Sequence, residues 1–343
     1  MSEQTITNPR DHLAGPPAAA ERKLRRVFVT GGSGFVGQHL LSALKREGIE
    51  CIALARSPAA AQKVTAEGAQ VCRSDLHDLA ALTAGMAGCD TVIHVGAYLR
   101  DWGIATAMKE NVQGSLNIAA AARCAGVKRI VYVSGTGVTI GSGPVVQADE
   151  TRPRGRPVGV LCASRVRSEA AMLGEAKGEL EVVVARFPYI WGPGETLSAA
   201  LQVTVGSGRF RWINGGRHMI SIVHVDNAVQ GLLRAARQGR AGEIYWFTDG
   251  PPLQLREFFE AHIRRAGFTP PTREISFAKA RLLADTMFFV WSAFGSKKPP
   301  PLTPTIVRFM GQEITVVDTK ARRELGYAPT VGWPDASLAR HIA

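Results

Sequence analysis

The stretch Val27–Gly37, VFVTGGSGFVG, decides the fold of this chain. The β-branched and aromatic run Arg25–Thr30 predicts a buried first strand, and the apolar periodicity of Phe35–Leu44 predicts a helix. Three glycines recur at a spacing of three residues within this stretch. The first permits a tight turn, the second lets the backbone approach a pyrophosphate, and the third lets the helix pack close to the strand.

This strand, turn and helix together predict a dinucleotide site. The phosphates would lie at the helix N-terminus, where unpaired N–H groups and the helix dipole favour an anion. A glycine triplet also occurs in purely structural turns, but this one opens a repeating pattern of strands and helices. The predicted cofactor contacts in the motif are Gly31, Ser33, Gly34, Phe35, Val36 and Gly37.

Short apolar strands alternate with helical stretches through the first half of the chain. Further strands are predicted at residues 50–55, 69–72, 91–95, 129–134 and 182–186, and the longest helix at residues 104–125. Apolar strands separated by helices predict an α/β fold, a Rossmann-type doubly wound parallel sheet. Beyond residue 186 the pattern loosens into turns, short strands at 219–225 and 243–247, and helices, which predict a smaller C-terminal α+β substrate lobe.

Three segments are predicted from these changes in pattern. Residues 1–23 contain three prolines and a run of alanines, lack the apolar core of a secretory signal, and are expected to form a disordered extension. Residues 24–190 are expected to form the dinucleotide-binding domain. Residues 191–343 are expected to form mainly the substrate lobe, with some elements returning to the Rossmann domain.

Composition narrows the classes of function. The chain has 343 residues, and its five cysteines are scattered without a Cys-x-x-Cys motif. Its eight histidines lack ligand spacing, so we expect no metal, and the free thiols predict a reducing, cytoplasmic location. The net charge of +12 is mostly dispersed and the aromatic content is only 7%, so we expect small-molecule ligands and no nucleic acid.

The segment Leu282–Phe294 is the most apolar part of the second half. It is too short to span a bilayer and carries Asp285, so no spanning segment is predicted. The favoured interpretation is a lobe helix that lines an apolar pocket. Peripheral membrane contact through the same segment is the alternative.

The chain resembles the extended short-chain dehydrogenase/reductases, and within them the branch of 3β-hydroxysteroid dehydrogenases, dihydroflavonol reductases and NAD-dependent epimerases/dehydratases. The resemblance covers Arg25 to Trp333. A homodimer is compatible with the sequence. It rests on the order and spacing of these motifs: Thr30–Gly37, Asp75–Leu76, His94–Ala97, Asn111–Gly114, Val131–Thr136, Arg186–Pro193, Val223–Asn227 and Lys320–Tyr327.

The resemblance implies roles for individual residues. Asp75 and Leu76 would contact the adenine ring. Thr136, at the end of the fifth strand, would hydrogen-bond the substrate oxygen, although its hydroxyl could instead be satisfied by nearby backbone. The remaining implied cofactor neighbours lie around the ribose and nicotinamide or support that region: Gly96, Ala97, Asn111, Ser134, Pro188 and Ile190.

The end of the second strand bears on the choice of cofactor. Arg56 follows it, where the family usually has an acidic residue for the ribose hydroxyl. An arginine can pair with a 2′-phosphate, which favours NADP(H), while NAD(H) stays an alternative. Arg56 could also simply face solvent.

The family's catalytic Tyr-x-x-x-Lys pair is missing by this comparison. Ser164 and Glu169 set the register and place Leu161 and Arg165 at the two positions, and the sequence has no tyrosine between residues 149 and 181. Leucine cannot transfer a proton, and an arginine stays protonated. Arg165 could still hold the ribose. Tyr98 is the favoured relocated acid, ahead of Tyr189 and Cys162.

Three functions are compatible with these features. The leading one is an atypical NADP(H)-dependent oxidoreductase that acts on a hydrophobic hydroxy or keto substrate, steroid-like or another β-hydroxy or β-keto compound, with Thr136, Arg165 and Tyr98 as catalytic candidates. The second is a nucleotide-sugar epimerase or dehydratase, for which six arginines could face a diphosphate: Arg152, Arg154, Arg156, Arg209, Arg211 and Arg217. The third is a non-catalytic NADP(H)-binding sensor or partner subunit.

Overall fold

The computed structural model describes residues 21–141 and 143–333. Most of the extension predicted for residues 1–23 therefore lies outside the described residues. At its end, the backbone N–H of Arg22 donates to the carbonyl of Arg237 at 3.0 Å.

The strands, in chain order, are β1 (Arg26–Thr30), β2 (Glu50–Leu54), β3 (Gln70–Cys72), β4 (Thr91–His94), β5 (Arg129–Gly135), β6 (Val145–Ala148), β7 (Glu181–Phe187), β8 (Tyr189–Trp191), β9 (Trp212–Ile213), β10 (Met219–Ile220), β11 (Ile222–His224), β12 (Ile244–Trp246), β13 (Leu253–Gln254), β14 (Glu274–Ile275) and β15 (Ile314–Val316). The helices are α1 (Phe35–Arg46), α2 (Pro58–Ala66), α3 (Leu79–Gly85), α4 (Ile104–Ala107), α5 (Gly114–Cys124), α6 (Gly159–Gly174), α7 (Leu197–Gly206), α8 (Val225–Gln238), α9 (Leu255–Arg265), α10 (Phe277–Ala293), α11 (Pro304–Gly311) and α12 (Thr319–Leu325).

The central sheet has seven parallel strands in the order β12-β7-β5-β4-β1-β2-β3. This confirms the predicted Rossmann-type sheet. The chain runs outward from β1 in one direction through β2 and β3, and then in the other direction from β4. Ligands bind outside the carboxyl ends of the strands at such a switch point, which here lies between β1 and β4.

Successive side chains of β1 point to opposite faces of the sheet, and both faces are buried. Val27 and Val29 pack into one core with Leu40 of α1 and Leu232 of α8. Phe28 points the other way, into a core shared with Ile118 of α5. The period of two along an apolar strand thus explains why both faces of the sheet are covered by helices.

The second lobe is built from short strands: a four-stranded sheet of order β13-β10-β15-β6 and the pairs β11-β8 and β14-β9. Its core centres on Trp191, Trp212 and Phe258. Each lobe receives a strand from the other part of the chain. β6, from the first half, pairs with β15 in the second lobe, and β12, from the second half, pairs with β7 in the central sheet.

Two elements differ from the sequence predictions. The single helix predicted at 104–125 is interrupted by a π-helical segment, Met108–Gln113, between α4 and α5. Such segments often mark functional sites. The strand predicted at 219–225 is split into β10 and β11. None of the helices in the described part of the chain combines the length and apolar character needed to cross a membrane.

Candidate active site

Two glycines of the motif that follows β1, Gly31 and Gly37, could not be replaced by any other residue without rearrangement. Gly31 has a φ of +72°, and a Cβ there would lie 2.6 Å from the Gly96 nitrogen. A Cβ at Gly37 would lie 2.0 Å from the Gly31 carbonyl oxygen. These close approaches bring the ends of β1 and β4 and the start of α1 together.

Gly34 differs from its two neighbours in the motif. A Cβ there would approach only the Gly31 oxygen, at 3.3 Å, so the protein leaves the space beside Gly34 open. Gly34 is also the N-cap of α1, and no side chain caps that helix end. The Gly34 N–H donates to the Gly31 carbonyl at 3.0 Å, so the N–H groups available to a ligand are those of the first turn of α1. An open backbone of this kind fits the predicted dinucleotide phosphates.

The ends of β1 and β4 are joined by a buried hydrogen-bonded chain. The Thr30 hydroxyl lies 2.5 Å from His94 Nδ1, and His94 Nε2 lies 3.0 Å from the Ser115 hydroxyl. The Gly96 N–H donates to the Thr30 hydroxyl at 3.1 Å. Burial, followed by the charge of Arg165, lowers the pKa of His94 to about 3, so this imidazole stays neutral and positions Gly96.

Asn111, in the π-helical segment, clamps the loop that follows β4. Its Oδ1 accepts from the Tyr98 N–H at 2.7 Å, and its Nδ2 donates to the Tyr98 carbonyl at 3.0 Å. The same Nδ2 donates to the Ser164 hydroxyl of α6 at 2.9 Å. These contacts identify Asn111 as a positioning residue, and the cofactor contact implied for it stays a prediction.

Basic and acidic side chains line a cleft after β2 and β3, in the region predicted to face the adenosine. Arg56 follows β2, and together with Arg73, Ser74, Asp75 and Asp78 it lines a cleft of about 350 Å³. Asp75 and Asp78 are engaged locally, since they accept from the backbone N–H groups of His77 at 2.7 Å and Ala81 at 3.0 Å. Both arginines are exposed, and Arg73 was not predicted from the sequence.

Leu76 packs closely against α5. A Cβ at Gly114 would lie 2.9 Å from Leu76 Cδ1, so the close approach of these two elements requires the glycine. The Leu76 carbonyl accepts from Asn117 Nδ2 at 2.9 Å. This fixes the backbone at the position implied to face the adenine.

The hydroxyls of Ser134 and Thr136 differ in what they contact. Ser134 is buried and donates to Glu169 at 2.6 Å, so its hydroxyl proton is committed to that carboxylate. The Thr136 hydroxyl has no hydrogen-bond partner among the described residues, and only its carbonyl is used, by Thr139 and Ile140. Thr136 is therefore the one of the two with a hydroxyl free for a ligand.

The side chains of α6 complete this part of the site. Arg165 donates to the Val133 carbonyl at 2.5 Å, and its guanidinium lies 5.4 Å from the centre of the Tyr132 ring. Leu161 is half-buried, and its N–H donates to Asp101 Oδ1 at 2.8 Å. The Arg165 side chain is thus held by strand β5, and the ribose contact implied for it stays a prediction.

Tyr98, the favoured relocated acid, is turned toward its own loop. Its phenol donates to the Trp102 carbonyl at 3.1 Å. The phenol of Tyr189 donates to Glu195 at 3.1 Å, and burial raises its pKa above the ordinary tyrosine value. Burial also raises the pKa of Cys162 to about 11. A proton-transfer role for any of the three stays a prediction.

Several predicted site residues meet at one edge of the sheet. Each follows the carboxyl end of a central strand, and β1, β4, β5 and β7 are consecutive neighbours, as the strand order requires. Ile190 lies next to this edge on β8, where it pairs with Val223. The residues that the fold brings to this edge are Gly31, Gly96, Ala97, Thr136 and Pro188.

The buried ion-pair cluster around Glu169 was not predicted from the sequence. This fully buried carboxylate accepts from Arg186 Nε at 2.9 Å and Nη2 at 2.5 Å, and from Arg154 Nε at 3.0 Å. Burial alone would raise the pKa of Glu169, but the bonds and charge of Arg186 outweigh it and hold the pKa below the usual value. The cluster joins α6 to β5 and β7 beneath the site.

Three of the six arginines considered for a sugar diphosphate are engaged by other groups of the protein. Arg154 is bound to Glu169, Arg211 donates to the Gly208 carbonyl at 2.8 Å, and Arg217 lies 3.4 Å from Glu274. These three side chains contact separate groups of the protein.

Comparison with protein families supplies the decisive observation. The model of the NAD dependent epimerase/dehydratase family matches residues 27–246, well over half of the chain. The chain belongs to this family. As its motifs predicted, it is an extended short-chain dehydrogenase/reductase, and it is an NAD(P)-dependent oxidoreductase of that type.

Individual relatives of this extended short-chain dehydrogenase/reductase span nearly its whole length. A 4-hydroxy-2-methyl-3-oxo-4-farnesyl-3,4-dihydroquinoline-1-oxide ketoreductase from Stigmatella aurantiaca is 39% identical over 89% of this chain and 92% of its own. A 3-beta-hydroxysteroid dehydrogenase from Mycolicibacterium neoaurum is 31% identical over 89% and 87%. The dTDP-glucose 4,6-dehydratase of Streptomyces venezuelae, solved with NAD, shares the fold with a TM-score of 0.72 and 24% identity over 92% and 95%.

Proposed function

We propose that this enzyme is an NADP(H)-dependent oxidoreductase for a hydrophobic hydroxy or keto substrate, and that it works without a Tyr-x-x-x-Lys pair. The observation that carries the proposal is the uncommitted hydroxyl of Thr136 at the cofactor edge of the sheet, next to a helix that presents Leu161 and Arg165. A bound nicotinamide supplies the hydride donor or acceptor. The relatives named above include a ketoreductase and a hydroxysteroid dehydrogenase.

The surroundings of Thr136 favour an apolar substrate. A Cβ at Gly137, the next residue, would lie 3.9 Å from Arg165 Cγ and 4.0 Å from Cys162 Sγ, so α6 closes over this turn. By the register inferred from the sequence, Leu161 stands on that helix in place of the family's tyrosine. Leu99, in the loop after β4, and Ile104, at the start of α4, stay exposed, which is compatible with a ligand that covers them.

Two side chains, Thr136 and Arg165, carry the proposed chemistry. The Thr136 hydroxyl binds the substrate oxygen and orients it. Arg165 holds the end of β5 through the Val133 carbonyl and contributes a fixed positive charge. In the reduction direction, the substrate oxygen takes its proton from water, which releases hydroxide to solvent, because leucine at position 161 cannot donate one.

Replacing Thr136 with valine tests the proposal directly. With NADPH and a panel of hydrophobic ketones, we expect kcat/KM to fall roughly 10- to 100-fold, which corresponds to the loss of one strong hydrogen bond to the substrate oxygen. NADPH oxidation followed by absorbance measures it. The Thr136→Ser variant keeps the hydroxyl and is expected to retain most activity. Wild-type protein that binds NADPH but oxidises it with no ketone would instead support a non-catalytic, NADP(H)-binding role.

The cofactor preference has its own test in the arginines of the adenosine cleft. Arg56 and Arg73 line this cleft together with Asp75 and Asp78, and we infer that a 2′-phosphate would bind beside the two arginines, because charge-assisted bonds to phosphate are strong. We expect Arg56→Ala to weaken NADPH binding about tenfold and to leave NADH binding nearly unchanged. Fluorescence titration measures both affinities. The exposed Lys63 on α2 does not line the cleft, so Lys63→Ala serves as the control. Equal wild-type affinities for the two cofactors would rule out the preference for NADP(H).

A further inference from the structure

Helix α10 presents apolar side chains to the surface of the second lobe. Leu282 is 70% exposed, Leu283 47%, Phe289 73% and Phe294, which caps the helix, 85%. We call these four residues the α10 patch. On the opposite side Ala280 and Ala284 are fully buried, in a core shared with Val307 of α11.

The α10 patch is exposed although the helix is rich in large apolar side chains, which are ordinarily buried. A helix that is apolar on all sides is stable when it is buried on all sides. Here α11 and its neighbours cover only one side of α10. Single exposed apolar residues are ordinary, but four on one helix indicate a surface that another apolar phase covers.

The charges around the patch indicate which apolar phase this is. Residues 277–298 contain four basic side chains, Lys279, Arg281, Lys297 and Lys298, and a single acidic one, Asp285. The acidic group lies 3.6 Å from Arg281 and is neutralised by it. A second copy of the chain packed on this patch would bring like charges together in a two-fold contact. Anionic lipid headgroups would instead pair with the basic residues while the patch enters the acyl boundary.

We propose that the α10 patch docks this protein peripherally on anionic membranes. The Leu and Phe side chains enter the interfacial layer, and the basic residues near both ends of the helix contact the headgroups. Docking needs no spanning segment, and it is independent of the proposed oxidoreductase activity because it can be measured without cofactor or substrate.

The same helix connects the docking face to the candidate active site. Phe288 packs edge-to-face on Trp102 with ring centres 5.2 Å apart, and the Trp102 indole N–H donates to the Ser296 carbonyl at 2.9 Å. Trp102 belongs to the loop that Asn111 clamps. If the proposed function holds, an apolar substrate would pass from the bilayer to the site beside this loop with little exposure to water.

Vesicle sedimentation of the full-length protein tests the docking. We expect binding to phosphatidylcholine vesicles with about 30% phosphatidylglycerol to be at least about tenfold tighter than binding to pure phosphatidylcholine. Substituting Leu282→Ser with Phe289→Ser should weaken binding to the anionic vesicles about tenfold or more, and Lys297→Gln with Lys298→Gln should reduce the preference for anionic lipid.

The control is Val203→Ser, because Val203 on α7 is 74% exposed outside the patch. Thermal unfolding checks that the variants stay folded. Wild-type protein that does not sediment with anionic vesicles would overturn the proposal, as would binding that the Leu282→Ser, Phe289→Ser variant retains. A dimer in solution that this variant converts to monomers would also overturn it, since the patch would then be a contact between two copies.

Discussion

Replacing Gly34 with valine is expected to abolish measurable NADPH binding and to leave the protein folded. The protein itself leaves the space at Gly34 open, because a Cβ added there would meet only the Gly31 oxygen, at 3.3 Å. A branched side chain there would occupy the position of the pyrophosphate. The helix end is not capped by a side chain in the wild type, so the cost to stability should stay within about 1 kcal/mol.

Two other glycines serve as matched comparisons for this variant. Gly37→Val should destabilise the whole domain, because its Cβ would lie 2.0 Å from the Gly31 oxygen. Gly174→Val should change neither binding nor the fold greatly, because nothing lies within 4 Å of its Cβ position. Fluorescence titration with NADPH and circular dichroism separate the three cases. A folded Gly34→Val protein with wild-type affinity would show that the phosphates bind elsewhere.

Replacing Glu169 with leucine is expected to lower the free energy of unfolding by about 3–5 kcal/mol, the usual cost of leaving a buried charge without its partner. Arg186 is 1% exposed and would keep its charge beside Trp246, whose ring centre lies 5.4 Å from the guanidinium carbon. The double variant Glu169→Leu, Arg186→Met removes both charges and should recover much of the loss. Urea unfolding of the three proteins measures these differences.

An exposed ion pair provides the control. Lys128 and Glu179 are 57% and 84% exposed, so Glu179→Leu should leave the free energy of unfolding almost unchanged. If Glu169→Leu were as mild as Glu179→Leu, the buried cluster would contribute little to stability.

The Glu169 cluster also gives a direction for the pH dependence of stability. The pKa of Glu169 in the folded protein is below its ordinary value. Its stabilising contribution is therefore complete above the ordinary glutamate pKa and is lost as the pH falls through the folded-state pKa. We expect the free energy of unfolding to decrease below about pH 4 and to decrease less steeply in the Glu169→Leu variant.

The parts that could be predicted from the sequence are those whose causes are local. Val27–Gly37 predicts its own strand, turn and helix, because alternating burial, glycine backbone freedom and helix periodicity all act within eleven neighbouring residues. The repeating pattern then predicts a parallel sheet, while the strand order that brings Gly31, Gly96 and Thr136 to one edge is seen only in the structure. The predicted phosphate site at Gly34 and the family resemblance followed from the sequence motifs alone.

Other features depend on contacts between distant parts of the chain. Thr30 and His94 are 64 residues apart and meet only because β4 pairs with β1. Arg73 joins Arg56 only because β2 pairs with β3, so its place in the cleft could not be predicted from the sequence around Arg56. The commitment of the Ser134 hydroxyl to Glu169, which leaves Thr136 as the free one, likewise exists only where α6 crosses β5.

In α10, one property could be predicted from the sequence and another depends on the tertiary structure. Its apolar composition is visible in the sequence and predicts a helix that must be covered. Which side chains stay exposed was decided by α11, which covers the face of Ala280 and Ala284 and leaves Leu282 and Phe289 outside. Local patterns determine what a segment can form, because backbone preference and periodicity act over a few residues. Burial and the choice of partner depend on what the rest of the chain places against it, and only the tertiary structure contains that information.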